Sequence, residues 1–192
     1  MIPSRKECME LLRKHNVPRG VIHHSLAVRR VAVFLAKELN KKGFNLNIKE
    51  IEAAALLHDI KKIDSLKDGT SHAHEGWRLL RKLGYPTVAE IVKQHVFLNE
   101  NTDPKKIVEE EVLNYADKRV RHSKVVTLKE RFEDLRERYG KDKASIEMIN
   151  SLEQKARKIE KKIFSNLDFT PEELPKLLKR RHRLFKSPLS RR

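Results

Sequence analysis

One cysteine, Cys8, is present in 192 residues, so no internal disulfide framework can form, and a reducing compartment is expected. No uninterrupted apolar stretch approaches the ~18 residues of a membrane span. The first fifteen residues, MIPSRKECMELLRKH, carry charges where a signal peptide has its apolar stretch. These absences predict a soluble, cytoplasmic protein with no membrane partner. No alternating run of β-branched residues marks a strand, and no G-x-x-x-x-G-K-[ST] loop marks ATP-driven transfer. Acidic side chains are also few: 27 Asp and Glu stand against 43 Lys and Arg, a net charge of +16. That balance favours anionic partners such as nucleotides, nucleic acid or an acidic surface.

The surplus is uneven. Residues 1–117 carry a net charge of +4 and residues 118–192 one of +12, with eight Lys and Arg and no acid from 176 onward. This predicts a near-neutral body over 1–122 and a basic helical extension over 123–192. Helical periodicity runs through nearly every segment. Capping-box signals recur at Ser4/Glu7, Asn47/Glu50, Thr87/Glu90, Thr127/Glu130 and Thr170/Glu173. The expected helices are 4–15, 21–41, 47–61, 71–83, 87–97, 104–121, 127–139, 142–166 and 171–185, an all-α protein. Within 142–166, Ile149, Leu152, Ala156, Ile159 and Ile163 form a narrow apolar seam. It suits a helix packed on its own domain or, failing that, a homodimer interface. Phe132, Tyr139, Phe164, Phe169 and Phe185 are spaced like core residues, which argues against a stacking platform for single strands.

Nine histidines carry the chemical signal. His58-Asp59 closes a helix whose preceding residues are mostly apolar, and a His and an Asp there are costly unless something satisfies them. Imidazole and carboxylate are a natural ligand pair for a divalent transition metal. The dipeptide alone is weak, since chance supplies about 0.4 such pairs in this composition. His24 lies early in helix 21–41, beside a stripe of Leu26, Val28, Val31, Phe34 and Leu35. His72 opens helix 71–83, where Gly76 one turn on permits close helix approach. His95 and Asp117 each follow apolar residues by about a turn. Five separate helices are thus able to direct His24, His58, Asp59, His72, His95 and Asp117 to one interior point, as metal-binding bundles do. His15, His122 and His182 read as surface residues, His74 as facing solvent or the cleft mouth, and His23 as a neighbour of His24 without a ligand role. Lys62, one turn beyond His58, is a candidate contact for substrate phosphate. Of Lys118 and Arg121, Arg121 is preferred as a phosphate clamp, since it lies four residues after Asp117 and offers bidentate recognition.

The order H…HD…H…H…D on an all-helical frame resembles the HD-domain superfamily of metal-dependent phosphohydrolases. The segments HSLAV (from His24), AALLHDI (from Ala54), HAHEG (from His72), AEIVKQH (from Ala89) and YAD (from Tyr115) carry the resemblance across residues 15–120. It is nearest to small stand-alone HDIG-type proteins, but Lys61 stands where those have glycine. The Glu-Asp signature of stringent-response hydrolases is absent. The resemblance implies one metal at His24, His58, Asp59 and Asp117, and a second at His72 and His95 bridged by Asp59; the competing view has those two histidines bind phosphate directly. It also implies Mn, Fe, Co or Ni as cofactor and hydrolysis of a phosphomonoester or phosphodiester, usually of a nucleotide, with Asp59 orienting the nucleophile. A minority of the superfamily are di-iron oxygenases. The rival class is a nucleic-acid- or nucleotide-binding module whose metal is structural, favoured by the basic last third.

Overall fold

Apolar residues at helical spacing, punctuated by side-chain caps, build ten helices among the described residues. The computed structural model describes residues 1–99, 103 and 105–184, the last four without their side chains. The helices are α1 (Arg5–Lys14), α2 (Arg19–Lys41), α3 (Ile48–Leu57), α4 (Lys62–Asp68), α5 (His72–Lys82), α6 (Pro86–Lys93), α7 (Glu109–Lys118), α8 (Leu128–Tyr139), α9 (Lys143–Phe164) and α10 (Leu174–Leu184). The only strands among the described residues are the two-residue β1 (Val120–Arg121) and β2 (Lys124–Val125). They pair antiparallel, Val120 opposite Val125. The fold is all-α. None of the described helices is long and apolar enough to cross a membrane.

Ser4 and Thr127 form reciprocal capping boxes, and the Asn47 side chain accepts from the Glu50 backbone. The Thr87 box does not form. Pro86 already occupies the first turn of α6, and Glu90 instead accepts from Trp77 Nε1 at 2.7 Å. The helix expected over 47–61 ends at Leu57, where i→i+3 turns carry the chain through Asp59 into α4, a helix without a sequence signal of its own.

The hydrophobic core lies among α2, α3, α6 and α7. α3 is buried nearly all round, with Ile51 and every residue of 53–57 sealed from solvent. Gly76 of α5 sits against α6: a Cβ there would meet Val92 Cγ1 at 3.3 Å, so the absent side chain sets how closely the two helices approach. The α9 seam is spent inside its own chain, since Ile149, Ala156, Ile159 and Ile163 are buried. It therefore gives no basis for a homodimer. Phe164 and Phe169 pack on Tyr115 and Phe34, docking the last helices onto the body. Tyr139 departs from its expected core position and is 49% exposed. Residues 185–192, including Phe185 and much of the basic stretch, lie outside the described residues, as does the side chain of His182.

Candidate metal centre

Each of five elements delivers its polar side chain at, or just past, a helix end or first turn. His24 follows the start of α2 by one turn and is buried with Ala27, Val28 and Val31. His58 is the C-cap of α3, and Asp59 is the next residue. His72 is the first residue of α5, behind a Ser71 cap that accepts from the His74 backbone. His95 lies two residues past α6, and Asp117 is the penultimate residue of α7. All six converge.

The hydrogen bonds on the far side of the rings decide what faces inward. His24 Nδ1 lies 2.9 Å from His122 O, His58 Nδ1 2.9 Å from Ala55 O, and His95 Nδ1 2.7 Å from Val92 O. A carbonyl only accepts, so each Nδ1 donates, and in a neutral ring each Nε2 turns a bare lone pair to the interior. Metal-binding histidines are commonly oriented in this way.

Inside, acceptors meet acceptors. His24 Nε2 is 3.0 Å from Asp117 Oδ1, and His58 Nε2 is 3.5 Å from Asp59 Oδ2 and 3.7 Å from Asp117 Oδ1. His72 Nε2 is 3.4 Å and His95 Nε2 3.8 Å from Asp59 Oδ1, while these two nitrogens face each other at 3.0 Å. His58 Nε2 is buried without a hydrogen-bond partner. Such a set is stable only around positive charge, and nitrogen and carboxylate donors together suit a divalent metal ion. The residues present therefore fit one. Two donor triads are recognisable, His24/His58/Asp59 and Asp59/His72/His95, with donor atoms within 4.8 Å of one another in each. Asp59 belongs to both, turning Oδ2 toward one and Oδ1 toward the other.

Protons answer the same demand when no metal is bound. Burial alone would depress His58, but the Asp59 and Asp117 carboxylates push it up to about 10. His95 is held down at about 3 by burial and by the charge on His58, and His72 is lowered chiefly by burial. Burial would raise both carboxyl groups. For Asp59 the charge of His58 outweighs it, and for Asp117 the hydrogen bond with His24 and the charge of Lys118 do, holding both well below the usual carboxylate range.

Two lysines border the cluster. Lys62 Nζ donates to Asp59 Oδ2 at 2.7 Å, so it contacts the acidic member directly. Lys118 is buried, donates to His95 O at 2.5 Å and lies 3.6 Å from Asp117 Oδ2. Arg121 does not follow Asp117 on a helix as expected, because α7 ends at Lys118 and the chain turns through the β1–β2 hairpin. There Arg121 pairs with Lys124 in the ladder, and its charge reaches Glu130 in the α8 cap. Lys118, the residue passed over, is the cation from this segment that borders the donors. His122 is exposed as expected, but its carbonyl fixes the His24 ring, a role that side-chain chemistry does not announce.

The HD domain family model matches residues 21–183. Over 97 residues the chain is 34% identical to a tRNA (cytidine(56)-2'-O)-methyltransferase of Thermoplasma volcanium, an overlap covering 50% of this chain and 27% of that protein. Over 149 residues it is 28% identical to an uncharacterized protein of Methanocaldococcus jannaschii, covering 71% of this chain and 87% of that one. It thus spans only about a quarter of the methyltransferase's length. No solved structure matches the chain. The ordered histidines and aspartates gather at one buried point on an all-α frame, and the family match takes in all six; the chain belongs to the HD-domain family.

Proposed function

We propose that this protein is a metal-dependent phosphohydrolase that cleaves a phosphomonoester or phosphodiester, with a nucleotide as the substrate. The observation that carries it is the pair of His/Asp donor triads sharing Asp59. In this reading His24, His58, Asp59 and Asp117 would hold one divalent ion, and Asp59, His72 and His95 a second. When bound, Mn, Fe, Co or Ni lowers the pKa of an adjacent water and neutralises the non-bridging oxygens of the phosphoryl group. The chain's own residues do the rest. The three Nδ1–carbonyl hydrogen bonds lock the rings of His24, His58 and His95, so the donors need no reorganisation. Asp59 orients the attacking water and accepts its proton. Lys62 leaves Asp59 for a phosphate oxygen. Residues 1–122 act as the catalytic body and 123–192 as a basic helical extension, in a cytoplasmic enzyme.

Metal analysis of protein purified without chelator, followed by a screen of nucleotide esters with Mn, Fe, Co and Ni, tests the proposal. Bound metal with turnover of at least one ester is expected; metal-loaded protein inert on all of them contradicts it. A second reading, a nucleic-acid-binding module with a structural metal, draws on the partial likeness to the methyltransferase and on the basic last third. It predicts salt-dependent RNA binding that survives Asp59→Ala.

A further inference from the structure

The donors of the metal centre are not equally open to solvent, and the difference marks where the centre can be reached. The His72 side chain is 27% exposed, whereas none of His24, His58, Asp59, His95 and Asp117 exceeds 13%. Lys62, which holds Asp59, is 31% exposed. The opening therefore lies where α4 meets the start of α5.

Outward from His72, helix spacing brings Glu75, Leu79 and Lys82 onto the face of α5 that carries this histidine. Together with Lys61, Arg78 and Arg81 they line a hollow of about 490 Å³. Lys61 pairs at 2.8 Å with Asp64, and Asp64 lines a second hollow of about 380 Å³ with Lys14, His15, Lys67 and the donor Asp59. One ion pair thus stands between the two hollows, and both border residues of the metal centre.

Six Lys and Arg line the hollows, against Asp64, Glu75 and the donor Asp59. Residues 1–117 as a whole are near neutral, so positive charge is concentrated here. Arg78 pairs with Glu75 at 3.3 Å and Arg81 with Glu90 at 3.2 Å, but exposed pairs of this kind are weak and exchange readily for another anion. Lys14, Lys67 and Lys82 have no ion pair among the described residues. Arg81 also sits over the Trp77 ring at 5.4 Å, with Lys93 over the same ring at 4.7 Å, which holds these cations in place.

We propose that this tract binds the sugar–phosphate backbone of a single nucleic-acid strand, laid along α5 and past the metal centre. Cations spread over two joined hollows match a ligand with a phosphate at every residue. Concave surfaces do not fit a membrane, and a path bending round the Lys61–Asp64 pair suits a flexible strand and not a stiff duplex. Binding there goes beyond the phosphohydrolase reading and needs no turnover. It also puts the strand on the body of the protein, not on the basic last third.

Fluorescence anisotropy of a labelled RNA of about twelve nucleotides, titrated with metal-loaded protein at several salt concentrations, tests this. The wild type binds, and more weakly as salt rises. Arg78→Glu/Lys82→Glu weakens binding about tenfold with metal content unchanged, and flattens the dependence of log Kd on log salt by about 1.4, the share of two phosphate contacts. Lys158→Glu/Lys161→Glu makes the same change of charge at exposed positions of α9 and leaves affinity within about twofold. Unchanged binding in the first variant, or equal losses in both, overturns the inference. So does loss of metal in Arg78→Glu/Lys82→Glu, since α5 is then only a frame for the centre. A wild type that does not bind the RNA, or that releases it equally to polyglutamate or to a duplex of the same length, overturns it too. None of these outcomes touches hydrolysis of small esters, so the phosphohydrolase reading stands or falls separately.

Discussion

Asp117 and Arg119 stand two residues apart at the end of α7, and the buried polar networks around them are built on opposite rules. Around Arg119, fully buried, each guanidinium nitrogen meets an acceptor. Nε donates to Val126 O at 2.6 Å, Nη1 to Tyr115 Oη and Glu160 Oε2, and Nη2 to Pro171 O at 2.9 Å. Tyr115 in turn donates to Glu160 at 2.6 Å. The cation has its carboxylate, the hydroxyl has its acceptor, and nothing from outside is needed. Around Asp117, lone pairs face lone pairs and His58 Nε2 has no partner. A closed network binds the chain to itself; an open one of the same polarity and burial calls for a cation. The first ties α9 and the segment before α10 to the body, and the second is where chemistry is expected.

Substitutions separate the two networks. The largest effect falls on the open one: Asp59→Ala removes the carboxylate common to both triads and should abolish metal binding and hydrolysis together. Unchanged metal content by elemental analysis would refute the assignment. Next, Arg119→Met strips Glu160, Tyr115 and two carbonyls of their shared donor, and should cost about 3 kcal/mol in urea unfolding. Folded Arg119→Met protein should still take up metal, because no donor is touched; loss of metal with the fold intact would show that the networks are not independent.

Chelation should distinguish them by stability. Metal that binds only the folded chain adds about 2.7 kcal/mol at a free concentration a hundred times its Kd. Removing it should lower the unfolding midpoint in the wild type and leave that of Asp59→Ala unmoved. The pH dependence has a definite sign. The carboxylates hold a proton on His58 up to about 10, so below that pH a metal ion has to displace it. Metal affinity should rise with pH from neutrality upward, with protons released on binding. Titrations in buffers of different ionisation enthalpy would reveal the release, and its absence would contradict a protonated His58. The smallest effect belongs to deletion of residues 185–192, which carry no proposed donor: hydrolysis of a small ester should be nearly unchanged.

The open network was legible in the sequence because ligands are specified by residue type and order. His24, His58-Asp59, His72, His95 and Asp117 each lie beside apolar residues, and their order along the chain carries the family resemblance. The closed network was not legible. Arg119 sits in the run KRVRH, where every basic side chain has the same local signature, and burial depends on acceptors as distant as Glu160 and Pro171. Lys118 and Arg121 were misjudged for a related reason: His122 enters the left-handed region at φ 55 without the glycine or asparagine that usually signals it, so a helix was expected where a hairpin forms. α4 escaped because its apolar residues are few and its neighbouring turn is shaped by the ligands it follows.

The account stands on the claim that Asp59 joins two cation sites. Anomalous scattering from crystals of the unsubstituted protein, measured at the absorption edge of the metal found by elemental analysis, addresses it directly. Two peaks flanking Asp59 are predicted, one beside His24, His58 and Asp117 and the other beside His72 and His95. A single peak at full occupancy would contradict it.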